Sequence, residues 1–175
     1  MPAPKRFRSD TRLPEYDYSS PGIYFITIVQ KNWIPLFGEV NSCGMTLSSA
    51  GDMVVRVWQE MAFAFPWMVH DEYVLMPDHF HALVVLGSEP KIEARTSLGT
   101  IVQRFKTIST YRYGIGVKES NWKPYEGKLW LQNYYERVVR NRNEYEKFQE
   151  YIKSNPYRWI ENRKAGILNN QNQTR

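Results

Sequence analysis

The stretch Met68-Val-His-Asp-Glu-Tyr-Val-Leu-Met76-Pro-Asp-His79-Phe-His81-Ala-Leu-Val-Val-Leu86 decides the fold of this chain. Two runs rich in β-branched and aromatic residues flank Met76-Pro77-Asp78, so the segment predicts strands over 68–76 and 79–86 joined as a hairpin. Upstream, Gly22–Gln30 (GIYFITIVQ) has the same composition and predicts an earlier strand, followed by a turn-rich stretch over 32–44. Ser48 and Ser49 offer N-caps for a helix over about 50–63, with Met53, Val57, Met61 and Ala64 on one stripe and Pro66 as its stop. Downstream, Ser97 caps a helix over about 98–113, on which Leu98, Ile101, Phe105 and Ile108 recur at helical spacing. After an irregular stretch over 114–128, Leu129–Asn141 is the weakest strand signal. Asn143 then caps a helix over 144–154 that Pro156 ends.

The order β-α-β-β-α-β followed by a helix predicts an α+β fold of the ferredoxin-like, split-βαβ type: an antiparallel sheet with helices on one face. The expected organisation is a flexible basic arm over 1–20, one domain over 21–165 and a polar tail over 166–175.

Composition narrows the function classes. The chain has 175 residues with 23 Lys+Arg against 18 Asp+Glu, a net charge of +5. This length can bury one core. A 42% hydrophobic and 15% aromatic content excludes a disordered or collagen-like chain. A single cysteine, Cys43, excludes an internal disulfide framework and a four-cysteine zinc site. The N-terminal residues lack the apolar core of a signal peptide, and the longest apolar runs are too short to span a bilayer. A soluble, cytoplasmic protein with no membrane partner is expected. Basic clusters at Lys5, Arg6, Arg8 and Arg12 and at Arg137, Arg140 and Arg142 lie among tryptophans and tyrosines. That interleaving suits single-stranded nucleic acid, though a solvated basic surface over an aromatic core has the same composition.

His79-Phe80-His81 is the sharpest local feature. On a strand, residues two apart face the same way, with Cα atoms roughly 6.5 Å apart, so both imidazoles share a face while Phe80, Ala82 and Val84 take the other. Such a pair either shares a metal ion, as an incomplete ligand set, or is ordinary polar strand surface. On the last helix, Tyr145, Phe148 and Ile152 define the apolar face. Asn155 falls about 20° and Tyr151 about 60° from Phe148, so both border the sheet side. Taken alone, these are a core-edge tyrosine and a helix-ending asparagine. Asp78 either orients an imidazole or, more commonly, caps the turn. His70 reads as strand surface, and Tyr111 and Tyr113 as DNA contacts or packing residues.

In combination these motifs resemble a known family. Met76-Pro-Asp-His79-Phe-His81 is similar to the HUH motif of single-tyrosine transposases. Tyr151-Ile-Lys-Ser-Asn155-Pro156 is similar to the Tyr-Ile-x-x-Asn-Pro signature of the branch associated with repetitive extragenic palindromes (REP). Tyr24-Phe25-Ile26-Thr27, Leu36-Phe37-Gly38, Phe105-Lys106 and the segment from Trp130 to Arg140 extend the likeness.

The resemblance implies a C-terminal helix carrying a catalytic Tyr151, with His79, His81 and Asn155 holding Mg²⁺ or Mn²⁺; direct and water-mediated ligation by Asn155 both remain open. It implies cleavage and rejoining of single-stranded DNA beside palindromic hairpins through a 5′-phosphotyrosine. Lys5, Arg6, Arg8, Lys106, Arg137 and Arg140 become candidate DNA contacts, Lys106 being otherwise plain helix surface. The alternatives are a domesticated hairpin-binding protein that no longer cuts, and a histidine-liganded metallohydrolase using activated water. Monomer and homodimer both remain open.

Overall fold

The computed structural model describes residues 16–87 and 96–172, with side chains described to residue 162. The elements run β1 (Gly22–Val29), β2 (Gly38–Asn41), β3 (Gly44–Leu47), α1 (Ser49–Ala64), β4 (Met68–Leu75), β5 (His79–Leu86), α2 (Leu98–Glu119), β6 (Tyr135–Val139) and α3 (Arg142–Asn172). The main sheet has the order β4-β5-β1-β6 with every neighbour antiparallel. The helix α1 joins β1 to β4 with β5 inserted between those two strands, which is the split-βαβ arrangement.

Strand alternation sorts side chains onto two faces. Tyr24, Ile26, Ile28, Phe80, Ala82 and Val84 point to one face, where α1 and α2 bury them with Val54, Val57, Trp58, Ile101 and Phe105. Phe25 and Leu83 point to the other, where Ile152 of α3 covers them. The first two helices therefore share a face, and the C-terminal helix packs on the opposite one.

Helix α1 starts at Ser48, whose hydroxyl accepts from the Gly51 N–H at 3.1 Å. Residue 51 must be small, because a Cβ there would lie 2.1 Å from the Phe37 carbonyl oxygen.

Five expectations change. The turn-rich stretch after β1 contains a small hairpin, β2–β3, whose four-residue strands are too short to show an alternating pattern. Helix α2 continues to Glu119, six residues past its expected end, because Tyr113 and Gly116 bury against the 122–125 segment. The last strand shrinks to Tyr135–Val139; Trp130 pairs with Gln30 only as an isolated bridge.

Pro156 does not end α3. The helix runs through it, and its backbone continues into the segment expected to be a tail. Proline removes one helical hydrogen bond and crowds the preceding turn, at about 3 kcal/mol. Burial of Ile152 and Asn155 before it and the packing of Trp159 on His79 after it offset that cost. The cap of α3 is Asn141 rather than Asn143: its Oδ1 accepts from the Glu144 N–H at 2.9 Å.

Candidate functional site

The hairpin turn between β4 and β5 is fixed by its carbonyls. Pro77 accepts from the Leu36 and Phe37 N–H groups, and Asp78 from that of Gln30, so the start of β5 is rigidly held. From this anchored start, His79 and His81 project toward α3, with ring centroids 4.7 Å apart.

Each imidazole is oriented through Nδ1. The His79 Nδ1–H donates to Asp78 Oδ1 at 2.6 Å, so Asp78 orients the ring and the turn-cap reading is set aside. His81 Nδ1 lies 2.8 Å from the Thr27 hydroxyl on the adjacent strand. Both contacts leave Nε2 as the remaining nitrogen. The His81 Nε2 is buried with no hydrogen-bond partner among the described residues, a costly state for a polar atom. Burial first, and His79 second, push the His81 pKa well below the ordinary histidine range, so the ring is neutral and can donate a lone pair.

Helix α3 brings up the other candidates. The Tyr151 ring meets His81 at 5.2 Å and Phe25 at 5.8 Å, edge-on to both. Asn155, one turn further, is only 6% exposed. The Arg158 guanidinium lies 5.3 Å from the centre of the Tyr151 ring, and Trp159 stands 5.7 Å from His79.

The rotation of α3 is set from the edge strand. Register shifts in β4 between His70 and Tyr73, the mark of a bulge, and the displaced Asp71 and Glu72 both reach the helix. The Tyr145 hydroxyl donates to Asp71 Oδ2 at 2.6 Å, Gln149 Nε2 reaches Tyr145 Oη at 2.8 Å and Asp71 Oδ1 at 3.4 Å, and Lys153 Nζ pairs with Glu72 Oε1 at 2.9 Å. Residues 145, 149 and 153 form a polar stripe at i, i+4 and i+8 beside the apolar one. Tyr145, expected on the apolar face, thus serves both stripes; Gln149, Lys153 and the contact of Thr27 with His81 have no counterpart in the sequence reading.

Of the other expected contacts, Arg137 lines the cavity beside Tyr151, whereas Lys106 lies on α2, on the other side of the sheet. Lys106 is 7% exposed and its Nζ donates to the carbonyl oxygens of Leu131, Gln132 and Asn133 at 2.9, 3.2 and 3.2 Å. It is therefore not plain helix surface: burial lowers its pKa to about 8, and a phosphate would compete with three carbonyls for its protons. Arg137 pairs with Glu144 at 3.1 Å and lies over Phe148, while Arg140 is exposed. His70 stacks on buried Trp58 at 5.1 Å instead of facing solvent, and Tyr113 is buried while Tyr111 is exposed. Lys5, Arg6 and Arg8 lie outside the described residues.

Residues 53–155 match the family model described as IS200-like transposase. The chain belongs to the IS200-like transposase family. The matched span begins in α1 and ends at Asn155, so it contains both histidines and the tyrosine. A Haemophilus influenzae protein described as uncharacterized is 31% identical over 171 residues, covering 87% of this chain and 89% of that one. A solved REP-associated tyrosine transposase bound to a REP hairpin shares the fold, with a TM-score of 0.58 at 17% identity, over 84% of this chain and 73% of the other. Family membership makes this a transposase-like protein acting on DNA. Among the described residues no helix is long and apolar enough to cross a membrane.

The donor set can be tested against the divalent ion that the family implies. Among the described residues no three His, Cys, Asp or Glu side chains cluster to hold a metal. The expected donor set, two imidazoles and the Asn155 amide, would need phosphate or water oxygens to complete it. The partnerless, neutral Nε2 of His81 fits such an ion, because coordination would supply the contact it lacks.

Proposed function

We propose that this IS200-like transposase cuts and rejoins single-stranded DNA beside palindromic hairpins, using Tyr151 as nucleophile. The observation that carries the reading is the meeting of His79, His81 and Tyr151 on one sheet face, with ring separations of 4.7 and 5.2 Å. His79 and His81, with Asn155, would hold Mg²⁺ or Mn²⁺. Bound there, such an ion would supply Lewis-acid withdrawal of charge from the phosphodiester and help to orient it for in-line attack.

The chain's own residues supply the remainder. Asp78 and Thr27 hold the imidazoles in orientation, so their Nε2 atoms need no rearrangement when DNA arrives. The Tyr151 hydroxyl loses its proton and its oxygen bonds to phosphorus. The P–O3′ bond breaks, and the departing oxygen takes a proton to become a free 3′-OH. The product is a 5′-phosphotyrosine that keeps the phosphodiester bond energy, so an incoming 3′-OH can displace the tyrosine without ATP. Arg158, poised over the phenol ring, favours the negative charge that develops on its oxygen.

The test uses labelled hairpin DNA from the flanks of the chain's own gene, incubated with Mn²⁺ or EDTA and run on a denaturing protein gel. A metal-dependent, protein-linked band that disappears in Tyr151→Phe is expected. Cleavage without a linked band would instead establish a metallohydrolase. Hairpin binding without cleavage would establish a domesticated binding protein.

A further inference from the structure

A connected set of rings runs from the buried His81 imidazole to the edge of the sheet, and Phe25 on β1 is its hub. Phe25 is 4% exposed and meets His81, Tyr135, Phe148 and Tyr151. It stacks on Phe148 of α3 at 4.4 Å with the planes 13° apart, and on His81 at 5.5 Å with the planes 22° apart. Tyr151 stands edge-on to both Phe25 and His81, at 5.8 and 5.2 Å. Phe25, His81 and Tyr151 therefore form a triangle of rings. Its third vertex is neither a candidate metal ligand nor the nucleophile.

A triangle fixes what a pair leaves free. His81 is tied to the sheet through Thr27 at 2.8 Å, but one edge-on contact with His81 would leave the phenol free to turn about its own side-chain bonds. Ring quadrupoles favour edge-to-face and offset-stacked pairs, so each side of the triangle has its own preferred geometry. Moving Tyr151 against His81 disturbs its contact with Phe25 as well. Phe25 is held in turn by Phe148, which lies flat against it and sits three residues before Tyr151 on the same helix. Residues three apart on a helix are neighbours, so α3 meets one sheet ring with two of its own.

The outer end of the set is Arg137. It lies directly opposite Phe25 across β1 and β6, so both side chains rise from one sheet face. Its guanidinium is 5.8 Å from the centre of the Phe148 ring and pairs with Glu144 Oε1 at 3.1 Å. Glu144 is itself fixed, because its Oε2 accepts from the Arg140 N–H at 2.9 Å. Glu144 and Phe148 are four apart on α3, so the guanidinium bridges successive turns of the helix that carries Tyr151.

We propose that Phe25 is a positioning residue that sets Tyr151 against His81, and that Arg137 serves it by holding Phe148 rather than by contacting a DNA phosphate. The proposal rests on the nicking reading for the role of Tyr151 and adds the groups that aim it.

The experiment compares Phe25→Leu with Leu83→Val, which removes a comparable volume from the same buried cluster but no ring. Three quantities are measured on the full chain. They are the nuclear Overhauser cross-peak between the labelled His81 and Tyr151 rings, the single-turnover rate of the DNA adduct in Mn²⁺, and hairpin affinity in EDTA. Phe25→Leu should erase the cross-peak and slow the adduct about 30-fold, whereas Leu83→Val should keep the cross-peak and lose no more than about three-fold in rate. Neither should change hairpin affinity. Arg137→Gln should weaken the cross-peak and slow the adduct about five-fold, with hairpin affinity and its salt dependence unchanged. Equal rate losses in Phe25→Leu and Leu83→Val, or a cross-peak that survives Phe25→Leu, would overturn the role of Phe25. Weaker hairpin binding by Arg137→Gln with the cross-peak intact would return Arg137 to the phosphate. The nicking reading is scored separately: a wild-type chain that forms no adduct would remove it, while the cross-peaks would still decide whether Phe25 sets the two rings.

Discussion

The two faces of the main sheet are built on different principles. Beneath α1 and α2 lies a continuous apolar core in which Trp58, Phe80 and Phe105 meet edge-on or tilted at 4.9 to 5.4 Å. Beneath α3, among the described residues, Phe25, Leu83 and Ile152 form a small buried apolar cluster, edged by half-buried hydrophobics such as Ile23, Val74 and Phe148 and by the histidines. Both faces bury an imidazole nitrogen that has no hydrogen-bond partner among the described residues, His70 Nε2 beneath α1 and His81 Nε2 beneath α3, but only His81 lies beside a second histidine and a tyrosine. Neighbours on β5 separate the two faces sharply, because Phe80 and His81 differ by one residue and face opposite ways.

Substituting those neighbours is the strongest way to break the comparison. Phe80→Ala should cost about 3–5 kcal/mol in urea unfolding, since it empties a fully buried site. His81→Leu should change stability by no more than about 1 kcal/mol, because it replaces a buried polar ring by an apolar group beside Leu83 and Phe25. The same variant should lose the covalent DNA adduct. A His81→Leu protein that unfolds as readily as Phe80→Ala would mean that both faces are structural.

The link between the faces is the bulge of β4, where Asp71 and Glu72 hold α3. Asp71→Ala should lower the single-turnover rate of adduct formation about ten-fold by letting Tyr151 shift against His81. Hairpin affinity in EDTA should stay the same, the stability cost should be about 1 kcal/mol, and Asp71→Asn should restore part of the rate through its remaining acceptor. Parallel losses of rate and affinity would reduce Asp71 to a general structural role.

Legibility in the sequence followed the range of the interaction. Strand alternation is local, so His79 and His81 could be placed on one face and Phe80 on the other before any coordinates. Helical spacing likewise put Tyr151 and Asn155 on the sheet side of α3. The Asp71–Tyr145 contact joins residues 74 apart, and no local period announces it. The surface reading of Lys106 fails for the same reason: helical spacing shows which face a residue lies near, not that three carbonyls from a distant loop converge there. Pro156 misled because its helix-breaking tendency is local, whereas the packing that overrides it is tertiary.

The smallest expected effect sharpens the contrast through pH, because the largest alkaline pKa displacements belong to core-side groups, while Tyr145 and Lys153 on the α3 face are raised less. Lys106 titrates near 8 in the fold, below the ordinary lysine value near 10.4, so between those limits the unfolded chain holds more protons. Stability should therefore rise with pH across that window. Burial raises the Tyr113 pKa to about 12 and pushes that of Tyr24 upward as well. Above pH 10 the unfolded chain releases phenolic protons that the folded chain keeps, so stability should then fall. Urea titrations from pH 7 to 11.5 should thus show a crest near pH 10, with limbs on the order of 1 kcal/mol per pH unit. Lys106→Met should flatten the rising limb, at a pH-independent cost from the lost carbonyl contacts. Tyr113→Phe should shallow the falling limb and leave the rising one intact. A crest unmoved by either substitution would place the alkaline transition on the α3 face and erase the division of labour between the two.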